Sequence, residues 1–189
     1  MANLNMKIND NLYFSDSGFH GYVIAKDQNG NIIFEKNNMV VQSGREAILH
    51  RLGLTCLDII PEGDKRDKIE EKSAFKKFSS VKFGSGINMT TMYMDDLTSE
   101  ITDGVSYPYS YSISESSENV EISFDIESRK IIFNITVDTS KPAELSELGL
   151  FFKNENDDEL MFSRVVFDPI YCGANAAVTS FDITYYLYL

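Results

Sequence analysis

The sequence predicts a mainly β protein, an antiparallel β-sandwich of jelly-roll type with one short helix inserted in the first third. Three observations lead to this prediction. Apolar and polar residues alternate with a period of two in three successive segments, an Asn-Gly pair separates two apolar runs, and one stretch carries both the start and the stop signals of a helix. Such alternation is typical of strands with one buried and one solvated face.

The composition is that of one folded, acidic domain. The chain has 189 residues, of which 43% are hydrophobic and 12% aromatic, enough to build a core. Seventeen Lys and Arg against 29 Asp and Glu give a net charge of −12, which argues against nucleic acid as a partner because a polyanion is repelled. No apolar run reaches the length of a signal peptide or a membrane span, so we expect a soluble protein with no membrane partner.

The N-terminal part predicts an arm followed by a hairpin. Residues 1–18 are rich in Asn, Asp and Ser and predict an extended arm. A weak apolar anchor within the arm consists of Leu12, Tyr13 and Phe14. Residues 19–189 then form a single β domain, which opens with two apolar runs on either side of Asn29-Gly30. Because glycine tolerates the positive φ of a tight turn, this pair predicts a β-hairpin.

One helix is predicted near residues 44–53, after a short strand at 37–42. Ser43 stands at the expected N-cap, and Glu46 three residues later completes a capping box. Apolar residues follow at helical spacing, and Gly53 stands where a helix would end. These signals make this the clearest helix in the sequence.

The next fifty residues change character. Residues 54–74 contain a dense run of mixed charges and predict a solvated loop or a second short helix. Residues 75–86 predict a strand that ends in a turn at Gly84-Ser85-Gly86. Three methionines follow, a group that most often fills an irregular core and less often forms an adaptable contact surface: Met89, Met92 and Met94.

The rest of the chain predicts strands. Residues 106–114, 119–127 and 129–140 alternate in the manner of half-buried strands. Their apolar positions are Tyr107, Tyr109, Tyr111, Ile113; Val120, Ile122, Phe124, Ile126; and Ile131, Phe133, Ile135, Val137. Two further strands and an aromatic C-terminal strand complete the prediction, so we expect the C-terminus to be tied into the fold.

The residues that usually carry catalysis or bind metals are scarce. The two histidines and two cysteines are scattered singly at His20, His50, Cys56 and Cys172, without the spacing of a zinc site. A Ser-His-Asp or Cys-His unit would have to use one of these two histidines, and the sequence has neither a nucleophile elbow nor a phosphate-binding loop. We therefore predict no catalytic residue, no metal and no cofactor, and a protein that is not an enzyme.

Two charged features have ordinary structural interpretations. The acidic residues at 154–159 could bind calcium, but they lack the spacing of a calcium loop and are more typical of a solvated hairpin turn. Arg164 lies inside an apolar strand, where its side chain would point outward or pair with an acid such as Glu147.

The tyrosines are the one group with a binding interpretation. Exposed aromatic faces stack on sugars or form protein interfaces, whereas buried ones fill a sandwich core or a subunit interface, which is the more common case. The candidate interface residues are Tyr13, Phe14, Tyr107, Tyr109, Tyr111, Met92 and Met94.

Three stretches, taken in order, resemble small virion proteins of tailed bacteriophages. The first, residues 21–49, has an N-G hairpin, a strand and the GREAIL helix start; the second, residues 78–101, reads FSSVKFGSG followed by TTMYMDDLTSEI. The third, residues 145–189, contains LSELGLFF, LMFSRVVFDPI and SFDITYYLYL, similar to the ending of tail, baseplate, collar and fibre-attachment proteins. This sequence departs from the resemblance in the charged insert at 61–74 and in GANAAV at 173–178.

The resemblance implies a structural virion protein of the tail, baseplate, neck or fibre-attachment type, assembled in the host cytoplasm. It implies symmetric contacts with copies of itself and with other virion proteins, in a ring or a fibre-attachment complex, and no catalytic residues. Two alternatives stay open at this point. One is a carbohydrate- or receptor-binding β-sandwich that uses the tyrosines, and the other is a hydrolase built from an acidic pair such as Asp95 and Asp96.

Overall fold

The computed structural model describes residues 20–51, 74–91, 93–99, 101, 109–114, 116–173, 176 and 180–188. The predicted arm at 1–18 and almost all of the charged loop at 54–74 lie outside these residues. The described part contains nine strands and one helix. They are β1 (His20–Asp27), β2 (Ile32–Val40), α1 (Gln42–Arg51), β3 (Phe75–Gly84), β4 (Ser110–Ser112), β5 (Val120–Asp125), β6 (Lys130–Asp138), β7 (Ala143–Asn154), β8 (Glu159–Cys172) and β9 (Ser180–Tyr188).

All nine strands belong to one antiparallel sheet, ordered β4-β3-β7-β8-β2-β1-β9-β6-β5. The prediction of a mainly antiparallel β protein is therefore confirmed. The sheet curls into a nearly closed barrel, with β4 and β5 as its two edges. The turning point is β2, which pairs with β1 through residues 32–38 and with β8 through Met39 and Val40. The aromatic strand β9 lies between β1 and β6, so the C-terminal strand is tied into the sheet.

The core lies between the two halves of the curled sheet. The ring of Phe78 on β3 lies 5.2 Å from that of Phe133 on β6, and the ring of Phe83 lies 6.2 Å from that of Phe181 on β9. Both contacts are edge-on, the arrangement that aromatic pairs favour. Phe133 and Phe181 are at most 1% exposed, so burial of large apolar side chains stabilises the closed form of the sheet.

The β1–β2 hairpin forms at the predicted Asn-Gly pair. Gly30 has a φ of 84°, and its N–H donates to the carbonyl of Asp27 at 2.9 Å. The Asp27 carboxylate accepts the backbone N–H groups of Asn29 and Asn31, both at 2.8 Å. Hydrogen bonds from Asn31, the side-chain amide first among them, lower the pKa of Asp27. The turn is thus fixed by interactions among neighbouring residues, 27–31, and the sequence predicts a turn at this place.

The start of the helix differs from the prediction. Ser43, the predicted N-cap, lies inside α1, and its hydroxyl donates to the carbonyl of Met161 on β8. The N–H of Arg45 donates to the carbonyl of Val41, which places the start of the helix earlier. The Ser43 hydroxyl therefore contacts the sheet instead of capping the helix. Gly44 makes this contact possible, because a Cβ there would lie 2.2 Å from the carbonyl oxygen of Phe162.

One of the three alternating segments buries only the beginning of its apolar face. Phe133, Ile135 and Val137 of β6 are at most 1% exposed, as predicted. In contrast, Val120 at the start of β5 is 5% exposed, but the apolar residues that follow it are largely solvent-accessible: Ile122 46%, Phe124 56% and Ile126 78%. The reason is position, since β5 is an edge strand at the gap of the barrel and the described residues place nothing over that face.

Candidate functional site

A fully buried ion pair lies on the outer side of the sheet. Glu147 on β7 and Arg164 on the adjacent β8 are both 0% exposed. The Nε of Arg164 lies 2.7 Å from Oε2 of Glu147, and its Nη2 lies 2.5 Å from the same oxygen. Of the two alternatives for Arg164, pairing with Glu147 is thus the one observed.

The Glu147 carboxylate also binds the backbone of a loop formed by residues 85–99, here called the 85–99 loop. Its Oε1 accepts the N–H of Gly86 at 3.0 Å and that of Ser99 at 2.8 Å, while Oε2 accepts the N–H of Thr98 at 3.1 Å. A single carboxylate thus joins the two ends of the loop. Charge-assisted bonds of this kind are stronger than neutral ones.

Arg164 holds the middle of the same loop. Its Nη1 donates to the carbonyl of Asn88 at 2.8 Å and to Oγ1 of Thr90 at 3.0 Å. Its Nη2 donates to Oγ1 of Thr98 at 2.9 Å. Together with the two bonds to Glu147, these use all five N–H groups of the guanidinium.

Two glycines make room for the carboxylate. A Cβ on Gly84 would lie 2.3 Å from Oε1 of Glu147, and a Cβ on Gly86 would lie 2.6 Å from the same atom. The Gly-Ser-Gly stretch was predicted as a simple turn. Its glycines instead allow β3 and the loop to approach a buried charge, which is why no larger residue suits these positions.

The loop covers a second, small apolar cluster. Leu97 of the loop packs with Val41, Phe151 and Met161, and all four are at most 9% exposed. This cluster is separate from the main core that β7 contacts through its other face. It explains why β7 is buried continuously from residue 145 to 152 rather than on alternate positions.

The 85–99 loop exposes three large apolar side chains among polar and acidic ones. Ile87 is 70% exposed, Met89 76% and Tyr93 77%. Met94 is half-buried, with its sulfur 3.6 Å from Nη1 of Arg164. The internal hydrogen bonds to Glu147 and Arg164 fix the conformation of the loop. The arrangement can therefore present exposed apolar side chains, whereas the Glu147 and Arg164 side chains are fully buried and hydrogen-bonded to each other.

The predicted interface tyrosines that the structure describes lie against the core. Tyr109 is 1% exposed and donates its hydroxyl to the carbonyl of Lys141 at 2.5 Å, and its burial raises its pKa. Tyr111 is half-buried, its ring lies 6.1 Å from that of Phe83, and burial raises its pKa to about 12. These positions favour the core interpretation of the tyrosine stripe. The other candidates Tyr13, Phe14, Tyr107 and Met92 lie outside the described residues.

A second buried polar group crosses the core. The hydroxyl of Tyr185 on β9 accepts a hydrogen bond from the Asn38 amide and is hydrogen-bonded to the Ser163 hydroxyl. Burial raises the pKa of Tyr185. Gly21 is packed against Asn38, so a side chain there would overlap the amide. We interpret this group as a structural link between the two halves of the sheet.

The acidic turn at 154–159 is built by hydrogen bonds. Asn154 is fully buried, and its Oδ1 accepts the N–H of Asp158 at 2.8 Å. Lys76 lies 2.9 Å from Asp157, and its hydrogen bond and charge lower the pKa of that carboxyl. Within the described residues, no three His, Cys, Asp or Glu side chains are grouped so that they could hold a metal ion.

The acidic pair considered for hydrolysis is solvent-exposed. Asp95 and Asp96 follow one another on the 85–99 loop, and Asp96 accepts the N–H of Leu97 at 2.8 Å. Glycosidases need two carboxyl groups on opposite sides of a substrate, an arrangement that adjacent residues on one loop do not provide.

Sequence reasoning identified Arg164 and Glu147 but missed the loop that they organise. Ile87 and Tyr93 carry no pattern that separates exposed from buried residues. The available signal was the pair of glycines directly after a strand, combined with a Glu and an Arg inside two apolar strands. Only the folded structure, which brings Gly84, Gly86, Glu147 and Arg164 together, shows that these four residues belong to one site.

No helix within the described ranges is long and apolar enough to cross a membrane. Comparisons with protein-family models, with curated protein sequences and with solved structures found no match to this chain.

Proposed function

We propose that the protein is a structural component of a bacteriophage virion, in the tail, baseplate, neck, collar or fibre attachment, and that it is not an enzyme. In this role it makes symmetric contacts with copies of itself and with other virion proteins. One observation carries the proposal: the 85–99 loop is held by a buried ion pair and presents Ile87, Met89 and Tyr93 to solvent. Such a surface suits binding to a protein rather than chemistry on a small molecule.

The residues of this site come from the stretches that resemble phage virion proteins. Gly84 and Gly86 belong to the second stretch, and Glu147 and Arg164 belong to the third. The first stretch supplies Val41 to the apolar cluster beneath the loop. Segments that are distant in the sequence thus converge on one structural unit, which supports treating the resemblance as more than a set of separate similarities.

The exposed apolar side chains of the 85–99 loop include two residue types that are common at interface centres, Met89 and Tyr93. Aromatic residues and methionine are enriched at protein interfaces, and a few such side chains usually carry most of the binding energy. A loop that is ordered before binding loses little conformational entropy when it docks. The exposed side chains of the 85–99 loop combine both properties.

We also infer that the curled sheet acts as a two-layer, jelly-roll-like sandwich within an assembly. The pairing change along β2 divides the strands into two groups of neighbours. Ring contacts between Phe78 and Phe133 join the two groups across the core. In a sandwich, loops such as the 85–99 loop are carried on a rigid support, which suits repeated contacts around a ring.

The test is a pull-down of virion proteins combined with the mass of the protein in solution. The loop variant I87S/M89S/Y93S removes the exposed apolar side chains, and I32S/Y171S is the control, because Ile32 and Tyr171 are also well exposed but lie elsewhere. We expect the protein to be present in purified virions, and we expect the loop variant to lose about tenfold in retained virion partner or in self-association, equal to roughly 1.4 kcal/mol. Absence from purified virions, or equal binding by both variants, would overturn the proposal.

A receptor- or carbohydrate-binding module of a phage tail is the second candidate. The exposed ring of Tyr93 is the observation that favours it, since Tyr109 and Tyr111 lie against the core. Binding to a glycan array that disappears in Tyr93→Ala but persists in Tyr171→Ala would support this candidate. Binding unaffected by Tyr93→Ala would count against it.

A further inference from the structure

The exposed face of β5 is a continuation of the core. In the register of β5 and β6, Ile122 lies opposite Phe133, and Phe124 lies opposite Ile131. Residues opposite each other in an antiparallel pair point to the same side of the sheet. Phe133 is completely buried and Ile131 packs against the core. Phe124 and Ile122 therefore point to the core side, where the described residues leave them half-exposed.

The N-terminal segment joins the sheet at the end where β5 finishes, next to Asp125. His20 pairs with Tyr188, Tyr188 pairs with Lys130, and Lys130 pairs with Asp125. These four residues form one row across β1, β9, β6 and β5. The row is about 14 Å long, because neighbouring strands lie about 4.8 Å apart. Residue 19 therefore emerges at the end of the sheet where Phe124 and Ile126 are exposed.

We propose that residues 12–14 of the same chain bind the exposed face of β5. Leu12, Tyr13 and Phe14 are three consecutive apolar residues in an otherwise polar segment. Five residues lie between Phe14 and His20, and an extended chain over these six residue-to-residue steps reaches about 20 Å. This exceeds the distance along the row to β5. The segment would place its apolar side chains on Ile122, Phe124 and Ile126.

A second copy of the chain is a less suitable occupant. In an antiparallel pairing of two β5 strands centred on Ser123, Glu121 of each copy would stand opposite Asp125 of the other. Like charges directly opposite each other destabilise a strand pair.

The other two long segments outside the described residues attach elsewhere. Residues 52–73 leave from α1 and return at Ala74, next to β3. Residues 102–108 end at Tyr109, whose hydroxyl binds the carbonyl of Lys141, beyond the opposite end of β6. The N-terminal segment is the one that enters in the row of Asp125.

A tryptophan reporter tests the proposal directly. The chain has no tryptophan, so F124W introduces a unique fluorophore at an accessible position. We expect its emission to shift to longer wavelength, and its quenching by acrylamide to increase, when L12S/Y13S/F14S is added. The matched control is L57S/I59S/I60S, which removes three apolar side chains from the segment at 52–73 and should leave the emission unchanged.

The results of this experiment distinguish residues 12–14 from a second copy of the chain as the occupant of the β5 face. A shift with the arm variant in a protein that light scattering shows to be monomeric supports the proposal. No shift, an equal shift with the control, or a shift present only in an oligomer and lost on dilution would overturn it. If F124W does not fold, binding of the dye ANS to the chain with Phe124 intact provides the second measurement, and the arm variant should bind more dye than the control. The outcome does not depend on whether the protein belongs to a virion.

Discussion

At the scale of single residues, the Glu147–Arg164 pair shows that a buried charge can organise a loop instead of reacting. Moving two charges out of water costs several kcal/mol per ion, and the cost is offset only when every polar atom is satisfied. Here Glu147 accepts five hydrogen bonds and Arg164 donates five. The pair therefore has a structural role, which is to hold the 85–99 loop in place.

Removing one partner of the pair should be costly. We expect Glu147→Ala to lower the free energy of unfolding by about 3–5 kcal/mol, because it leaves Arg164 buried without a counter-charge. The double variant E147L/R164M should lose less, since it removes both charges together. Urea unfolding measures both variants, and a loss below about 1 kcal/mol for Glu147→Ala would contradict the assigned role.

Gly86→Ala should disturb the contact between the 85–99 loop and the Glu147 carboxylate. The new Cβ would lie 2.6 Å from Oε1 of Glu147, and that carboxylate cannot move freely because Arg164 holds it. We expect a loss of about 1–3 kcal/mol in the free energy of unfolding, typical of overpacking. In the E147L/R164M background, Gly86→Ala should change the free energy of unfolding by a different amount, because Oε1 of Glu147, the atom that clashes, is absent. Equal losses in both backgrounds would show that the carboxylate is not the cause.

At the scale of elements, the β1–β2 and β5–β6 hairpins both have a turn fixed by an aspartate, but their strands differ in burial. The β1–β2 turn is determined locally by Asp27, Asn29 and Gly30. The β5–β6 turn uses Asp125, whose carboxylate accepts the Ser128 hydroxyl and N–H. The strands that they join nevertheless have different surroundings, because β1 is central and β5 is an edge. Local signals thus fix the turn but not the burial of the strands.

Substitution at Gly30 tests the local signal. The φ of 84° is unfavourable for residues with a Cβ, although no atom lies within 4 Å of the position that a Cβ would take. We expect Gly30→Ala to lower the stability by about 1–2 kcal/mol through backbone strain alone. Gly30→Asn should cost less, since Asn tolerates this conformation. Thermal unfolding of the two variants checks the order, and the reverse order would contradict the strain argument.

At the scale of the whole molecule, the nearly closed sheet leaves two edges with different protection. The edge strand β4 has only three residues, which limits pairing with another chain. The edge strand β5 is longer and carries acidic residues between its apolar ones. The total charge of −12 opposes unspecific association of the molecule. Specific contacts are therefore expected at shaped surfaces such as the 85–99 loop.

Stability should fall at both extremes of pH. The pKa values of Asp27, Asp125 and Asp157 are lowered by hydrogen bonds in the folded state, so folding favours their charged forms. This stabilisation is present above about pH 4 and is lost as the pH falls through the lowered values. Burial raises the pKa of Tyr111 to about 12, so its contribution is complete below pH 10 and is lost as the pH rises towards 12.

Urea midpoints measured between pH 2 and 12 test this prediction. We expect a plateau in the middle of the range, with declines on the acid side and above pH 10. Tyr111→Phe keeps the ring and removes the ionisable hydroxyl, so its alkaline decline should begin at higher pH than that of the unchanged protein. An identical alkaline decline would mean that Tyr111 contributes nothing to it.

The sequence by itself determined the β class, the turn at Asn29-Gly30 and the C-terminal strand, because these depend on periodicity and on the backbone preferences of neighbouring residues. Tertiary structure decided which faces are covered. The Ser43 hydroxyl donates to a carbonyl on β8 instead of capping the helix, and Ile122 and Phe124 of β5 are exposed at an edge. The candidate site needed Glu147 to meet Gly86, 61 positions away in the chain, and no local pattern encodes contacts at that separation.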